Sequence, residues 1–151
     1  MALSGLWAED LPSGGQLSLR LGTVWTVSGD AALTAQATYI KPLPSGRIGA
    51  QIERGVEEDT DGDEVLNTAA LLSYDHRINR VSQVDLEFNY AAAENLTAGT
   101  DLRQTELTAS YARDLAQDWS AEIGAGRIWR DEDGTSAQSN SVYLQIGRSF
   151  T

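Results

Sequence analysis

Ser82-Gln83-Val84-Asp85-Leu86-Glu87-Phe88-Asn89-Tyr90 alternates without a break. On an extended chain Ser82, Val84, Leu86, Phe88 and Tyr90 fall on one side, and Gln83, Asp85, Glu87 and Asn89 on the other. A period of two with one apolar side is the pattern of a strand that meets an apolar medium on one face only. The same alternation recurs on either side of this stretch. Upstream, the apolar sets are Leu17, Leu19, Leu21, Thr23, Trp25 and Val27; Leu33, Ala35, Ala37 and Tyr39; Ile48, Ala50 and Ile52; and Thr68, Ala70, Leu72 and Tyr74. Downstream they are Thr105, Leu107, Ala109 and Tyr111; Ala121, Ile123 and Ala125; and Val142, Leu144, Ile146 and Phe150. The reading gives about eight strands, and no window sustains the i, i+3, i+4, i+7 spacing of an amphipathic helix.

The connections differ in kind. Compact turns are expected at Pro42 to Gly46, Arg77 to Arg80 and Asp114 to Asp118. Long polar connections are expected at the opposite end of the strands, including the one that holds Asp131, Glu132, Asp133 and Gly134. An aromatic recurs at the compact-turn end in Tyr39, Tyr74, Tyr111 and Phe150, and Ser73-Tyr74 aligns with Ser110-Tyr111 through the following strand without a gap. This is a weak hairpin repeat, as expected of an up-and-down meander.

Composition narrows the function classes. The 151 residues suit one domain, with a net charge of −11 and a pI near 4.3, so a polyanion such as DNA or RNA is repelled. Cysteine is absent, which excludes disulfide scaffolds, thiolate metal sites and cysteine nucleophiles. Mean hydropathy is −0.31 and no apolar run reaches the length of a spanning helix, whereas a membrane barrel leaves a far weaker signal. The opening Met1-Ala2-Leu3-Ser4-Gly5-Leu6-Trp7 has no basic segment before an apolar core, as expected of a cytosolic chain or of one whose signal has been removed.

Alternation by itself does not say whether the apolar face points into a soluble barrel or out into lipid. Two features favour lipid. Aromatic residues mark both ends of the apolar face: Tyr39, Tyr74, Tyr111 and Phe150 at the compact-turn end, and Trp25, Tyr90 and Trp129 at the other, as two interfacial girdles require. The glycines that interrupt strands, Gly22, Gly49, Gly124, Gly126 and Gly147, all fall on the polar face, where a narrow interior is short of space. From about Gln16 to Phe150 the chain resembles the small eight-stranded barrels of bacterial outer membranes, similar in plan to the OmpA transmembrane domain and OmpX families. The last strand, with Val142, Leu144, Ile146 and Phe150, resembles their C-terminal assembly signal. It departs from that pattern in Thr151 after the Phe and in Arg148 at an outward position.

The resemblance implies an all-β, up-and-down antiparallel transmembrane β-barrel in the bacterial outer membrane. Residues 1–15 would form an N-terminal segment, periplasmic or associated with the barrel, and residues 16–151 the barrel itself. Short turns would be periplasmic and long loops extracellular. The lipid bilayer and lipopolysaccharide would be its surroundings, and a protein partner is expected at the loops. Arg20, Arg47, Glu53, Asp75, Asp85, Glu87, Glu106 and Glu122 would face the lumen as a packed polar network.

Little in the sequence points to catalysis. Asp85 and Glu87 share a side only because alternation puts them there, and His76 has no serine and acid spaced to converge on it. A lipid-modifying enzyme would need a histidine and serine paired near the interface. No cofactor is expected, except for weak calcium binding at Asp59, Asp61 and Asp63 around Gly62, which matches a calcium loop only in part. The expected function is therefore non-enzymatic: membrane anchorage and exposed acidic loops serving envelope integrity, adhesion or partner binding. The alternatives are a soluble lipocalin-like barrel for a small apolar ligand, and one part of a larger pore.

Overall fold

Each alternating segment forms a strand, and each strand pairs antiparallel with the next in sequence. The computed structural model describes residues 2–25, 31–58, 64–95, 101–116 and 118–149. Its strands are β1 (Ala2–Asp10), β2 (Gln16–Trp25), β3 (Ala31–Leu43), β4 (Gly46–Glu58), β5 (Glu64–Asn79), β6 (Ser82–Asn95), β7 (Asp101–Ala116), β8 (Trp119–Glu132) and β9 (Thr135–Arg148). They lie side by side in chain order in one all-antiparallel sheet, and β1 and β9 form no ladder with each other. The sheet is not closed.

Register keeps the two faces separate across the molecule. Leu72 lies opposite Phe88, Phe88 opposite Leu107, Tyr111 opposite Ile123 and Ile123 opposite Leu144. On the other face Arg47 lies opposite Asp75, Asp75 opposite Asp85 and Asp85 opposite Ser110. A slip of one residue anywhere would exchange the faces, so the alternation excludes every odd displacement of one strand against the next.

Two differences from the sequence reading have plain causes. There are nine strands where about eight are expected, because Ala2–Asp10 pairs with β2 along its whole length. That segment alternates poorly, since Leu6 lies opposite Arg20 on the polar face and Glu9 opposite Leu17 on the apolar one. The connection at Asp131 to Gly134, expected to be long, is a two-residue turn in which Asp133 and Gly134 take φ of 50° and 79°. Positive φ at both central residues suits the twist of a tight hairpin, and Asp-Gly is a favoured pair for it. The Asp133 carboxylate also accepts a hydrogen bond from the Asp101 amide at 2.9 Å, tying this turn to the start of β7. Phe150 and the acidic residues Asp59, Asp61 and Asp63 lie outside the described residues.

A sheet alone has no second layer to bury its apolar face. Among the described residues the only buried hydrophobic side chain is Leu66, at 9% exposure, and the surface amounts to 10641 Å². A water-soluble folded monomer of 16.3 kDa would expose about 7,500 Å² by size scaling. Cavities open on the polar face. One of about 440 Å³ spans β4 to β7 and is lined by Glu53, Glu57, Asn67, Ala91 and Gln104. Another of about 400 Å³ spans β5 to β8, with Arg77, Gln83, Asp114 and Ser120 around it. Hollows that cross four strands belong to the concave side of a curved sheet, so the apolar face is the convex one.

Gly134→Ala should cost about 1 kcal/mol in denaturant unfolding, because alanine resists the positive φ this turn requires.

Candidate functional site

The convex face carries an apolar band with aromatic edges. Trp7 lies in register with Leu19 and Ala37, and Tyr39 sits two residues beyond Ala37 toward the compact turns. Tyr39 in turn shares a row with Ala50 and Leu72, and Tyr74 sits two residues beyond Leu72. The row of Tyr74 passes through Leu86 to Ala109, and Tyr111 sits two residues beyond Ala109. Trp7, Tyr39, Tyr74 and Tyr111 therefore lie on one line that advances by one residue per strand. With a rise of about 3.3 Å per residue and about 4.8 Å between strands, that line inclines by roughly 35°, the strand tilt of closed barrels. The aromatics are level if the strands tilt as barrel strands do.

The band is best delimited on β8 and β9. Trp119 and Trp129 point to the same convex face ten residues apart, which is about 33 Å along the strand and about 27 Å along the normal at that tilt. A transmembrane barrel has an apolar band of about 25 Å. Between the two rings lie Ala121, Ile123 and Ala125, beside Val142, Leu144 and Ile146 of β9, whose exposures are 78%, 69% and 60%, and then Arg127 beside Asn140. Each ring has a cation against it, Arg148 across the ladder from Trp119 and Arg127 on the inner side of Trp129. The Arg148 guanidinium lies 5.4 Å from the Trp119 ring centre and the Arg127 guanidinium 4.9 Å from that of Trp129. Tyr90 and Trp129 share a row through Thr105, which forms the far edge together with Trp25. Six of the eleven basic residues, Lys41, Arg54, Arg103, Arg113, Arg127 and Arg148, occupy convex-face positions toward the two edges of the band.

The concave face is acidic. Glu53, Asp75, Asp85, Glu87, Glu106 and Glu122 share it with Arg20, Arg47, Arg77 and Arg130. Arg20 and Glu53 lie two strands apart in the row that passes through Gln36. Arg47 Nε bridges to Asp75 Oδ1 at 3.1 Å, and Asp75 faces the like-charged Asp85 across the next ladder. The other contacts are short and local. The Gln83 amide donates to Asp85 at 3.1 Å, the Asn89 amide to Glu87 at 2.6 Å, and the Tyr143 hydroxyl to Glu122 at 2.6 Å. Sealed in a dry interior, each uncompensated carboxylate would cost of order several kcal/mol. This face is suited to water.

Several polar-face glycines answer a specific cross-strand neighbour. A Cβ on Gly49 would meet Ser73 Oγ at 2.6 Å, one on Gly126 would meet Ser141 Oγ at 3.0 Å, and one on Gly147 would meet Ser120 Oγ at 3.0 Å. A Cβ on Gly124 would enter the ring of Tyr143, which lies flat across the strand and buries that glycine. Sequence reasoning did not single out Tyr143, Trp7 or Trp119. The signal for Tyr143 was present, as an aromatic out of phase with the apolar residues of its own strand.

His76 lies within β5 and not in the adjoining turn, with its ring stacked on Tyr74 at a centroid distance of 5.9 Å. Among the described residues no three acidic or histidine side chains come together to hold a metal ion. No helix is long and apolar enough to cross a membrane, which says nothing against crossing by strands. The chain matches no family model, no curated protein and no solved structure.

Gly124→Ala should destabilise the fold by about 1–3 kcal/mol through overpacking against Tyr143. In a Tyr143→Ser background the same change should cost less than half as much, as measured by denaturant unfolding in micelles.

Proposed function

We propose that the chain is an integral membrane β-barrel protein of the bacterial outer-membrane type, with its convex face in lipid and its acidic face around a lumen. The observation that carries this reading is the exposed apolar stretch of Ala121, Ile123 and Ala125 beside Val142, Leu144 and Ile146, flanked by Trp119 with Arg148 at one end and by Trp129 with Arg127 at the other. Indole rings and guanidinium groups have an apolar body and a polar tip, so both are stable where hydrocarbon gives way to phosphate and water. Phosphate-bearing lipid, lipopolysaccharide included, is the complement of the basic flanks. The role is non-enzymatic. It rests on anchorage in the bilayer and on the acidic rim at the far end of the strands, where Glu57, Glu94, Asp101, Asp131 and Glu132 lie and where a protein partner or weakly held divalent ions would meet the molecule. A lipocalin-like carrier would need the opposite curvature, with the apolar face concave.

Dilution from denaturant should give native β structure and a heat-modifiable gel band in the presence of detergent or short-chain lipid vesicles. A monodisperse, folded protein in plain buffer would overturn the reading. In vesicles Phe88→Arg should destabilise by about 2–4 kcal/mol, as a cation facing the bilayer midplane does. Glu87→Gln, one residue away on the opposite face, should change stability by less than about 0.5 kcal/mol.

A further inference from the structure

We infer that the compact-turn end of the convex face is a binding belt for anionic phospholipid, with one headgroup phosphate beside each pair of a tyrosine and a basic residue, and that the far edge is not. This rests on the membrane reading above and assigns the two edges of the band to different surroundings. Its root is a repeat in the sequence. Tyr39, Tyr74 and Tyr111 stand on alternate strands, and in each case the next residue on the same face is basic: Lys41, His76 and Arg113. On β9 Arg148 holds the same place beyond Ile146. The basic residues therefore run parallel to the tyrosine line, one pleat repeat nearer the turns, and are level wherever the tyrosines are.

The tyrosines lean toward these residues. The Tyr111 hydroxyl donates to Ser82 Oγ at 3.1 Å, and Ser82 lies opposite Arg113. The Tyr74 ring stacks on His76. A Cβ on Gly15, in the turn between β1 and β2, would meet the Tyr39 ring at 3.0 Å and its hydroxyl at 3.2 Å, so that ring too reaches the turn end. Successive pairs lie about 12 Å apart by strand spacing and rise, too far for one small anion to span and suited to separate single-phosphate headgroups. At each pair a phenol, with its apolar body and polar tip, and a basic side chain meet such a headgroup from the same side.

The two edges differ in charge and in what their cations touch. Among the described residues, Lys41, Arg80, Arg113 and Arg148 stand at the compact-turn end of the convex face or in its turns, against Glu9 and Asp118. At the far edge Arg54, Arg103 and Arg127 stand among Glu58, Glu64, Glu94, Asp101 and Asp131 on the same face, with Asp133 in the turn. Each of these three arginines has a partner within the chain: Thr68 at 3.4 Å, Asp101 at 3.6 Å and Gln138 at 2.6 Å. Lys41 and Arg113 have no hydrogen bond or ion pair among the described residues. An anionic headgroup is thus attracted at one edge and meets surplus carboxylate at the other.

Native mass spectrometry of the protein folded in zwitterionic micelles tests this. With equal amounts of phosphatidylglycerol and phosphatidylcholine added, the wild type should retain phosphatidylglycerol about five-fold more, the preference that a basic side chain near a charged surface supplies. Lys41→Gln combined with Arg113→Gln should bring that preference below about two-fold. Lys41→Arg combined with Arg113→Lys, which keeps both charges, should retain it. Arg54→Gln combined with Arg103→Gln, which removes the same charge from the far edge, should lower it by less than half as much. An excess of inorganic phosphate should leave the lipid bound. Equal retention of the two lipids by the wild type, or an equal loss from the far-edge variant, would overturn the inference while the membrane reading stands. So would an unchanged preference in the Lys41 and Arg113 glutamine variant, or displacement by inorganic phosphate, which marks a site for free anions. Protein that is folded and monodisperse in plain buffer would defeat the membrane reading instead.

Discussion

Among the described residues the apolar face of this sheet has no protein counterpart. Leu72, Phe88, Leu107 and Ile123 form a continuous apolar surface through their register, yet no helix or second sheet packs on it. On the membrane reading proposed above, lipid supplies the free energy that a globular domain gains by burying such residues. The rest of the architecture follows. Strands of 13 to 16 residues from β3 to β9 are long enough to cross an apolar layer at a tilt and emerge on both sides. Strands β2 to β8 are each paired on both sides, and charged residues are sorted by face.

That sorting resolves an apparent conflict in the composition. A net charge of −11 would ordinarily oppose contact with anionic lipid. Here the carboxylates gather on the concave face and at the loop rim, while more than half of the basic residues stand beside the aromatic edges of the convex face. Local charge, not the total, governs what each surface meets, because screening limits the reach of exposed charges to about 10 Å.

Much of the architecture was legible in the sequence because a period of two leaves little freedom. Ser82 to Tyr90 specified a strand, its two faces and, through its neighbours, an antiparallel meander. Three features were not legible, each for a physical reason. In β1, Leu6 on the polar side and Glu9 on the apolar side cancel the alternation over too few residues for the pattern to emerge. Trp119 begins its strand beside a turn, so its membership of the convex face follows only from its pairing with Arg148. Asp131 to Gly134 looked like a solvated acidic loop because charge outweighed the Asp-Gly hairpin signal within it. The register puts Arg20, Arg47, Glu53, Asp85, Glu87, Glu106 and Glu122 on one face of the sheet. The sequence did not show that Asp85 and Glu87 would take their hydrogen bonds from Gln83 and Asn89 on their own strand.

The seat of Tyr143 on Gly124 bears on how the final strand finds its place. Two residues along β8 lies Gly126, a second position without a side chain, so β9 displaced by one pleat repeat would still find a berth for the ring. Such a displacement preserves the sidedness of every residue and is invisible to hydrophobic sorting. What rejects it is the two-residue turn at Asp133 and Gly134 together with Glu122, Arg127 and Trp119, which the native alignment brings to Tyr143, Gln138 and Arg148. The seating of the final strand is thus indexed by a turn and a few polar contacts, a fine adjustment laid over the coarse one that the greasy residues supply.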